Sequence, residues 1–285
     1  MKPLRMSNTD LSMFQRCGEQ YRRARIEKER LPPGLKMTMG SAFHRVAAAN
    51  HQRQMAALEQ GVEESDVAAY TLPDEEARDI SATAFQAQIK SEGLEISEKE
   101  AEEYGGKARA MGVGLDRVVA AGAHYSVLVA PGIVPDAVER KIELELGDKA
   151  LTVTGRIDLI ARERPEPDRI IRVVRDNKLT GKAPAKNAAD TSQQLTFYSL
   201  LHKAETGTPP ERLSLDFMQH GAKGVKHVVQ ATTRDEMDVK RLARRISAAV
   251  DAIRAGVFIP ANPDSYWCSP SWCGYWSTCR FGGGK

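Results

Sequence analysis

The spacing of apolar positions changes twice along the chain, and the changes divide it. From Ser41 to about Val129 the sequence is rich in Ala, Glu, Gln and Lys. Apolar residues recur there three and four apart, in "AFHRVAAANHQRQMAALEQ" and "EEARDISATAFQAQIKS", which predicts helices. From Ala137 the period drops to two. Ile142, Leu144 and Leu146 alternate with Glu143 and Glu145, and the strand-like runs "ALTVTGRIDLIARE" and "RIIRVVRDNK" follow, separated by the turn-forming "RPEPD". The helical period returns in "AADTSQQLTFYSLLHKAETG", with Asp190 or Thr191 as cap and Gly207 as stop. Two short strands, "RLSLDFMQ" and "VKHVVQAT", come next. A last helix then places Val239, Leu242, Ile246, Val250 and Ile253 at helical spacing. No internal repeat or low-complexity linker interrupts this order. Three strands, a helix and two more strands, preceded by helices, predict an α/β core.

Composition adds limits. At 285 residues the chain suits one large domain with an elaboration. Its 41 Lys and Arg nearly balance 38 Asp and Glu, so any basic footprint must be local. Local runs exist in "YRRARIEKER", "KLTGKAPAK" and "KRLARR". Lys182 and Lys186 directly follow the third strand and are the best placed to contact phosphate, whereas "KRLARR" reads as a solvated helix face. No base-reading motif is present. The start, "MKPLRMSNTDLSMF", has no apolar signal region, and no stretch approaches the roughly 18 uninterrupted apolar residues that span a bilayer. The expectation is a soluble, cytoplasmic protein with no membrane partner.

Asp158 lies late in the second strand, and Asp176 and Lys178 end the third. Neighbouring strands bring such positions to about 5 Å of each other, and paired carboxylates suit Mg²⁺, which prefers oxygen ligands. Lys178, two residues after Asp176, shares its face of the strand and could orient or deprotonate an attacking water. Taken alone, D-x-K also fits a solvated acid and base at a strand end. Gln194 and Tyr198, four apart, share a helix face, where they could reach a phosphate or the lysine; an interfacial core aromatic is the alternative for Tyr198. Glu139 is a candidate accessory acid, although an exposed strand glutamate is the plainer reading.

The cysteines are split. Cys17 stands alone, whereas Cys268, Cys273 and Cys279 follow C-x(4)-C-x(5)-C spacing. In a reducing compartment this arrangement points to metal or iron-sulfur ligation, or to plain packing, rather than to disulfides. Paired zinc knuckles fit the split poorly. The interleaved Trp267, Trp272, Tyr275 and Trp276 could stack on bases, but shielding a metal site from water is the favoured role.

Taken together, "GSAFHRV", "GRIDLI", "RDNK", "QLTFY" and the cysteines resemble the PD-(D/E)XK nuclease superfamily, and within it the RecB-like branch that includes CRISPR-associated nucleases with an iron-sulfur cluster. The resemblance implies a restriction-endonuclease-like α/β fold, a central mixed sheet flanked by helices. It also implies an N-terminal segment (1–40), a helical region (41–130), a nuclease core (131–260) and a cysteine-rich flap (261–285) packed back on the N-terminal segment. His44, Asp158, Asp176 and Asn177, the last through its carbonyl, would hold Mg²⁺ or Mn²⁺. Lys178 would be the catalytic lysine, assisted by Gln194 and Tyr198. Cys17, Cys268, Cys273 and Cys279 would bind a four-iron four-sulfur cluster, with zinc as the alternative. Cys17 is followed by Gly rather than Pro, and the first gap of the trio is wider than the usual two residues. The implied activity is a DNA exonuclease on single strands or duplex ends, with a recombination or replication protein as partner. A non-catalytic DNA-binding module and a structure-specific endonuclease are the competing readings.

Overall fold

A computed structural model describes residues 4–147, 150–166, 168–221 and 223–282. Among the described residues one mixed sheet holds six strands: β1 (Leu4–Met6), β2 (Val134–Leu146), β3 (Leu151–Glu166), β4 (Arg169–Thr180), β5 (Arg212–Gly221) and β6 (Gly224–Thr232). The alternating runs form the antiparallel β2–β3–β4 meander. β3 extends into the expected "RPEPD" turn as far as Glu166, and Pro167 of that turn lies outside the described residues. β4 then crosses through α7 (Gln193–Thr206) to the parallel β5, a βαβ unit whose helix lies on the sheet. Ser192, rather than Asp190 or Thr191, caps α7 by accepting from the Leu195 N–H, and Gly207 closes it with φ 84°, a conformation glycine adopts without strain.

One face of the sheet packs against α7, α8 (Glu236–Arg254) and α1 (Asn8–Arg16), through Leu195, Leu201, Ile246, Val250 and Leu11. The one-turn α2 (Gly18–Tyr21) follows α1, with Cys17 as its cap. The other face of the sheet is covered by α3 (Leu35–Glu59) and α6 (Lys107–His124), with Phe43, Val46 and Ala121 meeting Leu159 and Met218. Behind these lies α4 (Asp74–Glu92), and the short α5 (Glu98–Tyr104) packs on α6. The segment Lys107–Gly132 is long and apolar enough to cross a membrane by length and composition alone, yet half of its apolar window is buried inside the protein.

The sheet forks at β3. β2 pairs along Leu151 to Arg162 on one edge, so β1 and β4 must share the other: β1 at Leu151–Val153 and β4 from Leu159 onward. Residues 154–158 are left between them with no ladder partner on that edge. Gly155 lies in this gap, where an added Cβ would come within 2.5 Å of Leu201 Cδ1, so its lack of a side chain lets α7 sit close against β3.

Candidate active site at the fork of the sheet

Asp158 is the last residue of the gap, and the next ladder pair is Leu159 with Arg175. Where the strands separate, the backbone N–H of Asn177 donates to Asp158 Oδ2 at 3.1 Å, so a carboxylate replaces the missing strand contact. From α3, His44 Nδ1 approaches the same oxygen at 3.2 Å. The Asn177 side chain is buried, and its Oδ1 has no hydrogen-bond partner.

Asp176 is fully buried. Gln194 Nε2 donates to its Oδ1 at 2.9 Å and also reaches the Tyr198 hydroxyl at 2.8 Å. Lys178 Nζ donates to Gln194 Oε1 at 2.8 Å and forms an ion pair with Asp176 Oδ2 at 2.6 Å. The carboxamide of Gln194 therefore ties Asp176, Lys178 and Tyr198 together, using the four-residue spacing of α7 and the strand alternation of β4.

Glu139, which the sequence favours as an exposed strand glutamate, belongs to this site. One ligand atom each from His44, Glu139 and Asp158 lies within 4.8 Å of the others. Glu139 sits in β2 opposite Asp158, between the pairs Val138 with Leu159 and Arg140 with Ile157. Its φ of 50° is in the left-handed region, unusual for a non-glycine residue within a strand. Nothing in the alternation of β2 signals that backbone, and the acidic residue facing "GRIDLI" was the only hint.

The electrostatics reflect crowded carboxylates. Burial pushes the Asp176 carboxyl up to about 6, with Lys178 opposing and the charge of Asp158 adding to the rise. For Asp158, burial is outweighed by His44, Lys178 and the Asn177 N–H, and its pKa falls below the ordinary carboxylate value. Burial disfavours charge on His44, but Asp158 and Asp176 overcome it and raise its pKa. Glu139 is raised by burial and by Asp158, against the pull of Arg156, its ion-pair partner at 2.7 Å. Tyr198 is raised well above its usual value by burial and the nearby carboxylates, so its hydroxyl stays protonated. The carboxylates of Glu139 and Asp158 and the His44 imidazole, with the buried carboxylate of Asp176 beside them, make a donor set that fits a hard divalent cation.

The four cysteines are free and half-buried. All four line one pocket, together with Trp267, Tyr275 and Trp276. Cys17 Sγ accepts from the backbone N–H groups of Gln20 at 3.4 Å and Ala261 at 3.3 Å. Burial, with the other cysteines adding, raises the thiol pKa values of Cys268 and Cys273. Among the described residues no three cysteine sulfurs lie within 4.8 Å of one another. Lys182 and Lys186 are exposed in the loop after β4.

A mixed sheet that forks over a carboxylate pair, with a lysine on the strand of the second, defines a hydrolytic nuclease of the PD-(D/E)XK type. The chain matches the family model of the PD-(D/E)XK nuclease superfamily over residues 5–280 and belongs to that superfamily. Among solved structures, one described as a putative exonuclease from Eubacterium rectale is similar at 10% identity, over 94% of this chain and 87% of that one, with a TM-score of 0.48. The structure of SSO0001 is similar at 18% identity, over 53% of this chain and 68% of that one, with a TM-score of 0.29. No curated protein matches the chain.

Proposed function

We propose that the protein is a Mg²⁺- or Mn²⁺-dependent DNA exonuclease of the RecB-like type, acting on single strands or duplex ends in DNA recombination, repair or related processing. The observation that carries this reading is the joint placement of His44, Asp158, Asp176, Lys178 and Gln194 at the fork of the sheet. Asp158, Asp176 and His44, with Glu139 and the Asn177 carbonyl, would hold the cation. When bound, it would supply Lewis acidity toward the phosphodiester and make water more acidic. Lys178 has three N–H donors, of which Asp176 and Gln194 engage two. Its side chain is 34% exposed, so the third can orient the attacking water or offset charge on the phosphate. Gln194 and Tyr198 hold Asp176 and Lys178 in register and leave the lysine little rotamer freedom.

The tail is read as a flap fastened to the N-terminal segment by an iron-sulfur cluster on Cys17, Cys268, Cys273 and Cys279. Two backbone N–H groups already point at Cys17 Sγ, the type of hydrogen bond that tunes cluster thiolates. A tetrahedral zinc site, with Zn–S near 2.3 Å, would draw its sulfurs to about 3.8 Å of each other. Iron and acid-labile sulfide in anaerobically purified protein are the expected result, and zinc alone would refute the cluster.

The activity is tested with linear and covalently closed circular DNA, each single-stranded and duplex, in the presence of Mn²⁺. The expected result is release of mononucleotides or short oligonucleotides from linear DNA only. Cutting of the circles would replace the exonuclease reading with an endonuclease, and no cleavage of any substrate would leave a binding module.

A further inference from the structure

Tyr266, Trp267 and Trp272 pack as a triad, with ring centroids 4.7 Å (Tyr266 to Trp267), 5.6 Å (Tyr266 to Trp272) and 5.2 Å (Trp267 to Trp272) apart. The triad has two sides. Trp267 lines the cysteine pocket, whereas Tyr266 and Trp272 are not part of its lining and are 60% and 50% exposed. Shielding the cysteines therefore accounts for Trp267, and for Tyr275 and Trp276 beside it, but not for the outer pair. Two cations flank the triad: the Arg16 guanidinium lies 4.5 Å from the Trp267 ring centroid and Lys36 Nζ lies 5.8 Å from that of Trp272. Arg16 donates to Gln20 Oε1 and lines the cysteine pocket, whereas Lys36 has no carboxylate partner among the described residues and Arg22, Arg23 and Arg25 nearby are all paired. An exposed aromatic pair with uncompensated positive charge is complementary to a polyanion that carries stackable rings.

Helix α3 connects this patch to the candidate active site. Lys36 is in its first turn and His44 is eight residues on, about 12 Å along the axis at 1.5 Å per residue. Met37 and Gly40 precede His44 by seven and four residues and so lie on the same side of the helix. Met37 is 65% exposed, and a Cβ added at Gly40 would meet nothing within 4 Å. That side of α3 is open from the aromatic patch to the imidazole.

We propose that Tyr266 and Trp272, with Lys36, form a base-stacking subsite that holds single-stranded DNA on its way to the fork of the sheet. This rests on the nuclease reading for the destination of the strand, and it adds a feature of the substrate that the carboxylates do not define. Stacking on an aromatic side chain is worth about 1–3 kcal/mol per base, so losing one ring weakens binding about 5- to 150-fold.

The test separates binding from cleavage. A fluorescent single-stranded 20-mer is titrated without divalent cations, and its anisotropy and the quenching of tryptophan fluorescence are followed. Trp272→Ala is expected to weaken binding at least fivefold and to remove most of the quenching, whereas Trp272→Phe keeps near-parent affinity. Lys36→Ala should weaken binding and flatten its salt dependence. With Mn²⁺, Trp272→Ala should raise KM for the 20-mer by a larger factor than it changes kcat. If Trp272→Ala fails to fold, Lys36→Ala and Tyr266→Ala carry the test, both at exposed positions. Parent-like affinity in the folded alanine variants would overturn the subsite and leave the nuclease reading intact. Binding by the parent protein without any cleavage would overturn the nuclease reading and leave the subsite.

Discussion

Glu139 couples backbone strain to site chemistry, and the two can be separated by substitution. With φ at 50° it occupies the left-handed region in the middle of β2, opposite Asp158. For an L-residue that conformation costs about 1–2 kcal/mol, and glycine avoids it. Glu139→Ala removes the carboxylate and keeps the strain; Glu139→Gly removes both. Both variants lose the ion pair to Arg156, whose side chain is 67% exposed, so that small contribution cancels in the comparison. Glycine also gains freedom in the unfolded chain, which costs about 0.5–1 kcal/mol of stability relative to alanine. The difference leaves Glu139→Gly more stable than Glu139→Ala by about 0.5–1 kcal/mol. Urea unfolding of the two purified variants, monitored by tryptophan fluorescence and circular dichroism, measures it. Their affinities for Mn²⁺ should be equally reduced, because both lack the carboxylate. A Glu139→Ala protein more stable than Glu139→Gly by about 0.5–1 kcal/mol, the full unfolded-state cost of glycine, would show that the left-handed backbone carries no strain, and Glu139 would lose its claim to be held in place for function.

Two further outcomes are expected. His51 is buried between Gln54 Oε1 at 2.7 Å and the Tyr125 hydroxyl at 2.6 Å, and burial lowers its pKa to about 4. Below pH 6.5 the unfolded chain takes up a proton that the folded one refuses until about pH 4, so stability falls as pH drops through that window. The loss is on the order of 3 kcal/mol at 1.36 kcal/mol per pKa unit. His51→Gln should show a shallower loss of urea stability between about pH 7 and 4, and an identical slope would contradict the neutral, buried imidazole. Gly155→Ala forces a methyl group against Leu201 and pushes α7 outward with Gln194 and Tyr198. A stability loss of about 1–3 kcal/mol with reduced cleavage is expected, and Leu201→Ala should cost less in the Gly155→Ala background than alone; an unchanged midpoint would show that α7 can give way freely.

Much of this was legible in the sequence because it depends on local periodicity. The meander, a helix between β4 and β5 stopped at Gly207, and the last helix follow from apolar spacing and stop signals. Asp176 and Lys178 share a strand face, and Gln194 and Tyr198 share a helix face, so only the docking of α7 on β4 was left to tertiary structure. Other features depend on that tertiary level from the start. The fork that exposes Asp158 arises because β1, three residues near the N-terminus, takes the edge of β3 that β4 vacates. A three-residue strand has too few positions for alternation to be recognised. Glu139 enters the site through one backbone dihedral, which its side-chain pattern does not encode. The tail aromatics share one composition but divide into pocket-lining and solvent-facing sets, a division that only packing creates.

The central claim is that one constellation binds a cation and cleaves DNA, with Lys178 needed for the second function but not the first. Manganese binding by electron paramagnetic resonance, measured beside cleavage of a linear single strand, tests it on the parent protein, Lys178→Ala and Asp158→Asn. Lys178→Ala is expected to bind Mn²⁺ about as well as the parent while losing about 10²- to 10⁴-fold in cleavage rate. Asp158→Asn should lose both. Cleavage at the parent rate by Lys178→Ala, or undiminished Mn²⁺ binding by Asp158→Asn, would contradict the account.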